Sequence, residues 1–487
     1  MCKSENTTFT TDVLKIVSGT TIAQLILLLS TPIITRLYGP EAFGLLGIFT
    51  SITTVLGVIV CLSLNYAILL PKSDTEAVNL LILSILSATL ISILTTPFVI
   101  LGREVIAKLL GAPEISPYLL LIPPFVFTSG VFLALNSWNS RTKHYGRLSV
   151  AQITQSFVTT STRLGVGFTG YATGGSLIVT QVIGVLVSSC ILAGLIWRDD
   201  RKLLCGSVSW KGMIDGLKRY KKFPLMDTGS RFINAVSWQL PVFLLTAYFS
   251  PEISGFYVLG FMVFQIPMNF IGDAISKVFL QRAAIANLEG NLAPLVENFF
   301  YILVMIGMYP IFAVTIIGVE LFSLIFGAVW AQAGLYAQIF GLWAFIWFLA
   351  TPIGMLYNVL EKQEFGVFVY TLNFITRLIS LSIGAYLKSP ILSLILFSVS
   401  GIFVYGYFNI YLLTISNVNI KVMLKRILFN LKIICPFALI LIILKFICNN
   451  DLFIVIAAAL LGVTYYIYII KTDLEVKALI SNFNLRL

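Results

Sequence analysis

Long, uninterrupted apolar runs constrain this 487-residue chain more than any other feature. Residues 80–101 and 452–470 are two examples without a charged side chain, and a helix needs about 20 such residues to cross the hydrocarbon core of a bilayer. Because an unpaired backbone polar group costs several kcal/mol in lipid, a span must be a helix or part of a closed barrel. A barrel would show short alternating segments, so the runs predict membrane-spanning α-helices.

The composition agrees with this interpretation. Apolar residues make up 58% and charged residues 11% of the chain, whereas soluble domains carry about 25% charge. The net charge of +11 does not indicate a nucleic-acid partner, because the basic residues lie in short loops where membrane insertion explains them. The six cysteines show no Cys-x-x-Cys spacing and the single histidine, His144, lies in a basic loop. We therefore predict no metal site, no cofactor and no catalytic residues.

The apolar runs and the breakers between them predict about fourteen transmembrane helices with both termini in the cytoplasm. Of the 32 Lys and Arg residues, 24 fall in cytoplasmic segments or helix ends under this assignment, 5 in outer segments and 3 inside spans. Cytoplasmic loops carry an excess of basic residues, so this alternation supports the helix count and the orientation. The predicted spans are 14–35, 44–70, 77–101, 118–140, 148–169, 174–197, 223–249, 255–280, 295–318, 332–359, 366–387, 391–415, 428–447 and 452–471.

An internal repeat divides the first twelve helices into two groups of six. The motif Pro-Glu-x-x-Gly occurs at 40–44 and again 211 residues later at 251–255, in matching predicted outer loops. Two similar turns can also arise by chance, since Pro and Gly are common in loops. Parallel repeats indicate an alternating-access transporter with its site near the membrane midplane, between the lobes. We predict an N-lobe (1–197), a basic cytoplasmic linker (198–222), a C-lobe (223–415), and two further helices with a cytoplasmic tail (416–487).

Four stretches of the chain resemble a known family. They are residues 32–44, 136–141, 220–224 and 239–259, which contain Tyr-Gly-Pro-Glu-Ala-Phe-Gly, Asn-Ser-Trp-Asn-Ser-Arg, Tyr-Lys-Lys-Phe-Pro and a second Pro-Glu-x-x-Gly. In these stretches the chain resembles the polysaccharide transporter branch (Wzx-type flippases) of the multidrug/oligosaccharidyl-lipid/polysaccharide (MOP) exporter superfamily. The resemblance covers roughly residues 10–285, and the last five helices match in hydropathy only.

The resemblance implies a fold, a substrate and a location. The fold is all-α and MOP-type, with two pseudo-symmetric six-helix lobes and two additional C-terminal helices. The implied activity is translocation of undecaprenyl-pyrophosphate-linked oligosaccharide repeat units from the inner to the outer leaflet of the bacterial cytoplasmic (inner) membrane. The implied partners are this lipid-linked oligosaccharide, membrane lipids and the polysaccharide polymerase machinery.

Three arginines inside predicted spans are candidate ligands for the diphosphate of such a substrate. An ionisable side chain at the centre of a span costs about 2.5–3.5 kcal/mol on insertion scales, so those present are candidates for function. Arg377 lies near the middle of its span, Arg231 about eight residues into the seventh, and Arg163 nearer the outer face. The planar guanidinium pairs bidentately with phosphate oxygens. Arg163 and Arg231 could instead extend to a membrane interface.

Amide and paired charged side chains supply further candidates. Gln239 and Asn234 share the seventh helix with Arg231 and are predicted to contact sugar hydroxyls. Asp273 and Lys277, four residues apart near the inner end of the eighth helix, are predicted to couple or gate transport, or to form a plain surface ion pair. The other amides inside spans include Asn65, Gln155 and Gln181, and most such amides serve helix–helix contacts.

Two other functions fit the sequence less well than a flippase does. A cation-coupled drug or metabolite antiporter of the same superfamily would need buried carboxylates, which are scarce in the predicted spans. A membrane enzyme would need a sizeable extramembrane site, and the longest outer loop spans only about 102–117. The sequence also lacks an Asp-x-Asp pair and a GxxxxGK[ST] loop. An anionic substrate fits the sign of the intramembrane charges best.

Overall fold

A computed structural model describes residues 2–448 and 450–472, with the side chains of 2–18, 266–267, 269–275, 277–278 and 363 excepted. Within these ranges the chain forms fourteen helices of at least 20 residues, short helical turns and no strand. The long helices are α1 (Cys2–Leu37), α2 (Pro40–Ile59), α3 (Asp74–Leu109), α4 (Ile122–Thr142), α5 (Tyr145–Phe168), α6 (Gly174–Ser207), α7 (Thr228–Tyr248), α8 (Pro251–Leu288), α9 (Leu292–Phe326), α10 (Ala331–Ile353), α11 (Gln363–Tyr386), α12 (Pro390–Ile415), α13 (Ile420–Ile447) and α14 (Asp451–Thr472).

Each predicted span overlaps one of these helices, so the predicted polytopic all-α class is confirmed. Among the residues described, ten helices are long and apolar enough to cross a membrane, or eleven if Pro113–Leu119 and Ile122–Thr142, which meet at 55°, form one span. Helices α5 and α7 are not in that set. Helix α5 carries two arginines and α7 one, each helix carries two amide side chains, and both contribute to the cavity described below.

The chain packs into two compact units, Met1–Gly255 and Phe256–Leu487. In the first unit α1 packs on α5, α3 on α4, and α2 on both α6 and α7. In the second unit α9 packs on α10, α13 and α14, and α11 packs on α12. Helix α7 therefore belongs to the same compact unit as the six helices that precede it. The lobe and linker boundaries predicted from the repeat are a different division, which this packing does not test.

The repeated Pro-Glu-x-x-Gly motif makes a reciprocal contact within the first unit. Pro40 and Pro251 each occupy the first turn of a helix, where the missing N–H costs nothing. Gly44 lies so close to the carbonyl of Pro251 that a Cβ there would overlap its oxygen, and Gly255 lies equally close to the carbonyl of Pro40. The motif thus marks a close backbone approach between the first turn of α2 and residues 251–255, at which only glycine fits.

Helix α13, one of the two last helices for which the sequence indicated no task, supports a break in α9 together with α10. The backbone leaves helical geometry at Ile317, with φ −111° and ψ 22°. The carbonyl of Ile316 accepts hydrogen bonds from Lys445 Nζ of α13 at 2.9 Å and from Gln338 Nε2 of α10 at 2.8 Å. Lys445 also pairs with Glu320 at 3.0 Å. Because an unpaired carbonyl is costly in lipid, these donors stabilise the broken helix.

Candidate functional site: a polar cavity in the first unit

A cavity of about 570 Å³ lies within the first unit, between α2, α4, α5, α6 and α7. Its apolar wall includes Phe125, Phe132, Leu133 and Val185. Of its lining residues that the structure describes, Arg231 is the one charged side chain and none is a carboxylate. The polar lining consists of Thr50, Thr53, Thr54, Asn65, Tyr66, Ser129, Gln155, Gln181, Arg231 and Asn234.

Two irregular backbone segments shape this cavity. After α2 ends, Leu62 and Ser63 adopt left-handed backbone angles with φ 50° and 55°, which turn the chain into the short helix Leu64–Ala67. That short helix carries Asn65 and Tyr66 to the cavity wall. On the facing side, a π-helical turn, Phe223–Asp227, precedes α7, and such turns often occur at functional sites. Thr228 Oγ1 donates to Ser63 Oγ at 3.0 Å, so the two segments are joined.

Arg231 is held at the wall by two partners and is still accessible. Its Nε donates to Asp227 Oδ2 at 2.7 Å, one helical turn earlier, and its guanidinium lies 4.2 Å from the centre of the Tyr66 ring. The side chain is 44% exposed, so water or an anion can reach it. Asn234 follows three residues later on the same helix face and also lines the cavity.

Arg163 contacts a cavity-lining residue, Gln181. It does not line the cavity itself, but its guanidinium donates to Gln181 Oε1 at 2.7 Å, and Gln181 does line it. Its backbone carbonyl accepts from the Tyr38 hydroxyl at 2.9 Å. Among the described residues its buried Nε has no hydrogen-bond partner. Arg163 therefore orients the Gln181 amide at the cavity wall.

Gln239 occupies a helix contact. Its Oε1 accepts a hydrogen bond from Ser51 Oγ at 2.8 Å, which ties α7 to α2, and it is not among the cavity-lining residues described. Its predicted contact with sugar stays a prediction.

Arg377 lies in the second unit, on α11, and is 3% exposed. It donates to the Tyr405 hydroxyl at 3.3 Å, and its guanidinium is 5.7 Å from the centre of the Phe397 ring. The structure thus places Arg377 in packed surroundings that differ from those of Arg231. Its predicted role as a diphosphate ligand is not tested by this placement.

The side chains of Asp273 and Lys277 lie outside the described residues, so their predicted role stays a prediction. Asp227 is a carboxylate that the sequence analysis missed, although its spacing of four residues from Arg231 was available as a signal. Within the part of the chain that the structure describes, no cluster of three His, Cys, Asp or Glu side chains is placed to hold a metal ion.

Comparison with known proteins identifies the family. Residues 33–334 match the model of a family described as polysaccharide biosynthesis protein. Among curated proteins, none matches the chain.

Solved structures identify the fold. The lipid II flippase MurJ in an inward closed conformation superposes with a TM-score of 0.72 and 13% identity, over 94% of this chain and 98% of that one. An inward-facing multidrug resistance MATE family transporter of the MOP superfamily gives 0.62 and 12%, over 83% and 96%. A MOP superfamily transporter from Pyrococcus furiosus gives 0.56 and 14%, over 83% and 95%. The chain therefore belongs to the polysaccharide biosynthesis protein family and has the fold of a MOP superfamily membrane transporter.

Proposed function

We propose that this membrane protein is a flippase for undecaprenyl-pyrophosphate-linked oligosaccharide repeat units. It moves them from the inner to the outer leaflet of the bacterial cytoplasmic membrane by alternating access, with both termini in the cytoplasm. The observation that carries the proposal is the cavity, where one accessible guanidinium, that of Arg231, stands among hydroxyl and amide groups. Membership of a polysaccharide biosynthesis family and a fold shared with a lipid II flippase support it.

The chemistry of the cavity matches a sugar diphosphate. The guanidinium pairs with phosphate oxygens through two parallel N–H donors and stays charged at any physiological pH. Hydroxyl and amide side chains such as Thr53, Gln155 and Asn234 donate to and accept from sugar hydroxyls. A volume of about 570 Å³ lies within the roughly 300–1,000 Å³ of typical small-molecule sites. The polyprenyl tail stays in the bilayer.

The remaining predicted residues take secondary parts in this proposal. Arg163 acts through Gln181, which it orients. Arg377 contacts the diphosphate only in an arrangement of the second unit that opens the packing against Phe397. Asp273 and Lys277 couple or gate the cycle. A polysaccharide polymerase that consumes the translocated unit is the proposed downstream partner.

A cation-coupled antiporter is the alternative that the MATE-like fold leaves open. The positive charge of the cavity lining argues against an antiporter for cations. A cation would have to displace water next to Arg231, and the described lining offers no carboxylate in return. Asp227 is close by, but its carboxylate is engaged by Arg231 at 2.7 Å.

The test is export of the lipid-linked repeat unit in cells that lack their own flippase, at matched protein levels. Arg231→Ala should lower the initial rate at least about tenfold, because a hydrogen bond to a charged group contributes about 1.5–3 kcal/mol. Arg231→Lys keeps the charge but loses the two parallel N–H donors of the guanidinium, so its export rate should lie between those of the wild type and Arg231→Ala. Arg282→Ala removes an exposed arginine of α8 and should export like the wild type.

Two results would contradict the proposal. Wild-type export by Arg231→Ala would remove the cavity arginine from the mechanism. Resistance to cationic dyes conferred by the wild-type chain, without export of the repeat unit, would support the antiporter instead.

A further inference from the structure

A short amphipathic helix, Trp210–Arg219, joins α6 to the π-helical turn before α7, and we call it the linker helix. It is fixed to the first turns of α3. The Asn79 side chain accepts from the Ser209 backbone N–H at 2.8 Å and donates to the Ser207 carbonyl at 3.0 Å. Gly216 lies against Leu80. Asn79 and Leu80 are the third and fourth residues of the predicted 77–101 span, so the linker helix lies at the level where the membrane begins.

A second face of the linker helix is apolar and uncovered. Trp210 is 71% exposed, Ile214 38% and Leu217 41%. Their spacing of four and three residues places them in one stripe along the helix. The packed face is separate, because Met213 and Gly216, which do not belong to the stripe, are buried. An exposed tryptophan and two exposed aliphatic residues in one stripe are unfavourable in water and suit the boundary between headgroups and acyl chains.

A third face is basic and adjoins the apolar stripe. Lys211 and Lys218 are exposed and lie seven residues apart, on the same side of the helix. Asp215, also exposed, follows them around the helix. Arg219 is engaged by Glu76 at 2.9 Å. The two lysines are therefore the cations nearest the stripe, and the exposed Lys221 and Lys222 add positive charge at the helix end.

We propose that the linker helix is a docking surface for anionic phospholipid. Trp210, Ile214 and Leu217 enter the acyl boundary, while Lys211 and Lys218 bind headgroup phosphates. The lysines complement anionic headgroups, and the helix packs on α3 where the membrane is predicted to begin. Both observations favour a lipid surface over an acidic protein partner, which would leave the apolar stripe in water. This inference concerns a different surface from the cavity and does not depend on which substrate is transported.

The test uses the full chain in nanodiscs of phosphatidylcholine with or without phosphatidylglycerol. The fluorescence of Trp210 is obtained by subtracting that of Trp210→Phe, and its quenching by lipids brominated near the headgroup end of the chain is measured. Brominated phosphatidylglycerol should quench Trp210 more than brominated phosphatidylcholine does. Lys211→Gln/Lys218→Gln should reduce that preference at least about fivefold, because each lysine near an anionic surface contributes roughly this factor.

Two further variants separate binding from folding. Lys421→Gln/Lys425→Gln makes the same charge change at exposed positions of α13 and should keep the preference. Asp215→Asn removes the negative charge beside the two lysines and should raise the preference for phosphatidylglycerol, which a folding defect cannot do. Quenching of Trp210 by aqueous acrylamide but not by brominated lipid, or an unchanged preference in Lys211→Gln/Lys218→Gln, would overturn the proposal. If inorganic phosphate abolished the preference for phosphatidylglycerol, the lysines would form an anion site that is not specific for lipid. That result would also overturn the proposal.

Discussion

Two arginines inside predicted membrane spans have opposite surroundings in the two units of this protein. Arg231, in the first unit, has a side chain that is 44% exposed at the wall of a polar cavity and is paired with Asp227. Arg377, in the second unit, is 3% exposed, donates to the Tyr405 hydroxyl and lies against the Phe397 ring. The two side chains carry the same charge, and their accessibility separates them.

The difference shows what an intramembrane charge can do. A guanidinium at a wet wall keeps part of its hydration and can exchange a carboxylate partner for a ligand. A guanidinium in a packed core has lost its water, and the aromatic faces and hydroxyl around it compensate for the desolvation. Position along a span therefore selects candidates, and accessibility decides which of them can bind. On this comparison we propose Arg231 as the binding residue, and we expect Arg377, in the state described here, to contribute to the stability of the second unit.

The largest expected effect is on stability, at Arg377. Arg377→Ala should destabilise the protein by about 3 kcal/mol, because it leaves a cavity and removes the partner of the Tyr405 hydroxyl. Thermal unfolding of the purified chain in detergent measures the loss. Arg231→Ala is the matched control, and it should cost less than about 1 kcal/mol because that side chain is solvated.

The opposite pattern would break the comparison. If Arg377→Ala unfolds like the wild type while export of the repeat unit is lost, then Arg377 binds the substrate and its packed environment opens during the cycle. That is the role which its position in the sequence predicted.

The helices could be predicted because a bilayer imposes its thickness on each apolar run. The irregular segments could not. Leu62 and Ser63 take left-handed angles although neither is a glycine. The π-helical turn Phe223–Asp227 contains a proline, which predicts an irregularity in the backbone but not a π turn. Both depend on the packing that joins Ser63 to Thr228. The order of the helices is therefore predictable from the sequence, whereas the breaks that shape the cavity are not.

The site was predictable in part, for a related physical reason. Arg231 and Asn234 stand out as polar residues within one helix, and the structure places both at the cavity. The environment of Arg377 depends on Tyr405, 28 residues away on another helix, which no local pattern encodes. Gln239 illustrates the same limit, because its partner Ser51 is 188 residues distant.

A smaller effect is expected at Asp227, the carboxylate that holds Arg231. Asp227→Asn removes the intramolecular competitor for the guanidinium, so undecaprenyl pyrophosphate should bind about threefold more tightly. The factor is modest because both side chains are more than a third exposed and solvent screens the pair. Titration of the purified chain with undecaprenyl pyrophosphate at low and high salt measures it, and the gain should shrink as salt rises.

A matched substitution distinguishes this competition from a general change in charge. Glu76→Gln makes the same acid-to-amide change in an ion pair with Arg219, away from the cavity lining. It should leave the affinity unchanged. Equal affinities of Asp227→Asn and the wild type for undecaprenyl pyrophosphate would mean that Asp227 does not compete with the ligand for Arg231. The contact with the Tyr66 ring would then be the interaction that positions the arginine.

The last prediction compares two amides on α7, with effects no larger than that at Asp227. Asn234 lines the cavity, whereas Gln239 is held by Ser51. Asn234→Ala should weaken binding of the lipid-linked repeat unit about threefold with unchanged stability, because one neutral hydrogen bond contributes about 0.5–1.5 kcal/mol. Gln239→Ala should leave binding unchanged and lower stability by about 0.6 kcal/mol, the average for a hydrogen bond between membrane helices. Binding and thermal unfolding are measured on both variants. A binding defect in Gln239→Ala but not in Asn234→Ala would contradict the prediction. It would place the sugar contact at the α2–α7 contact, because Gln239 could affect binding only by exchanging Ser51 for the substrate.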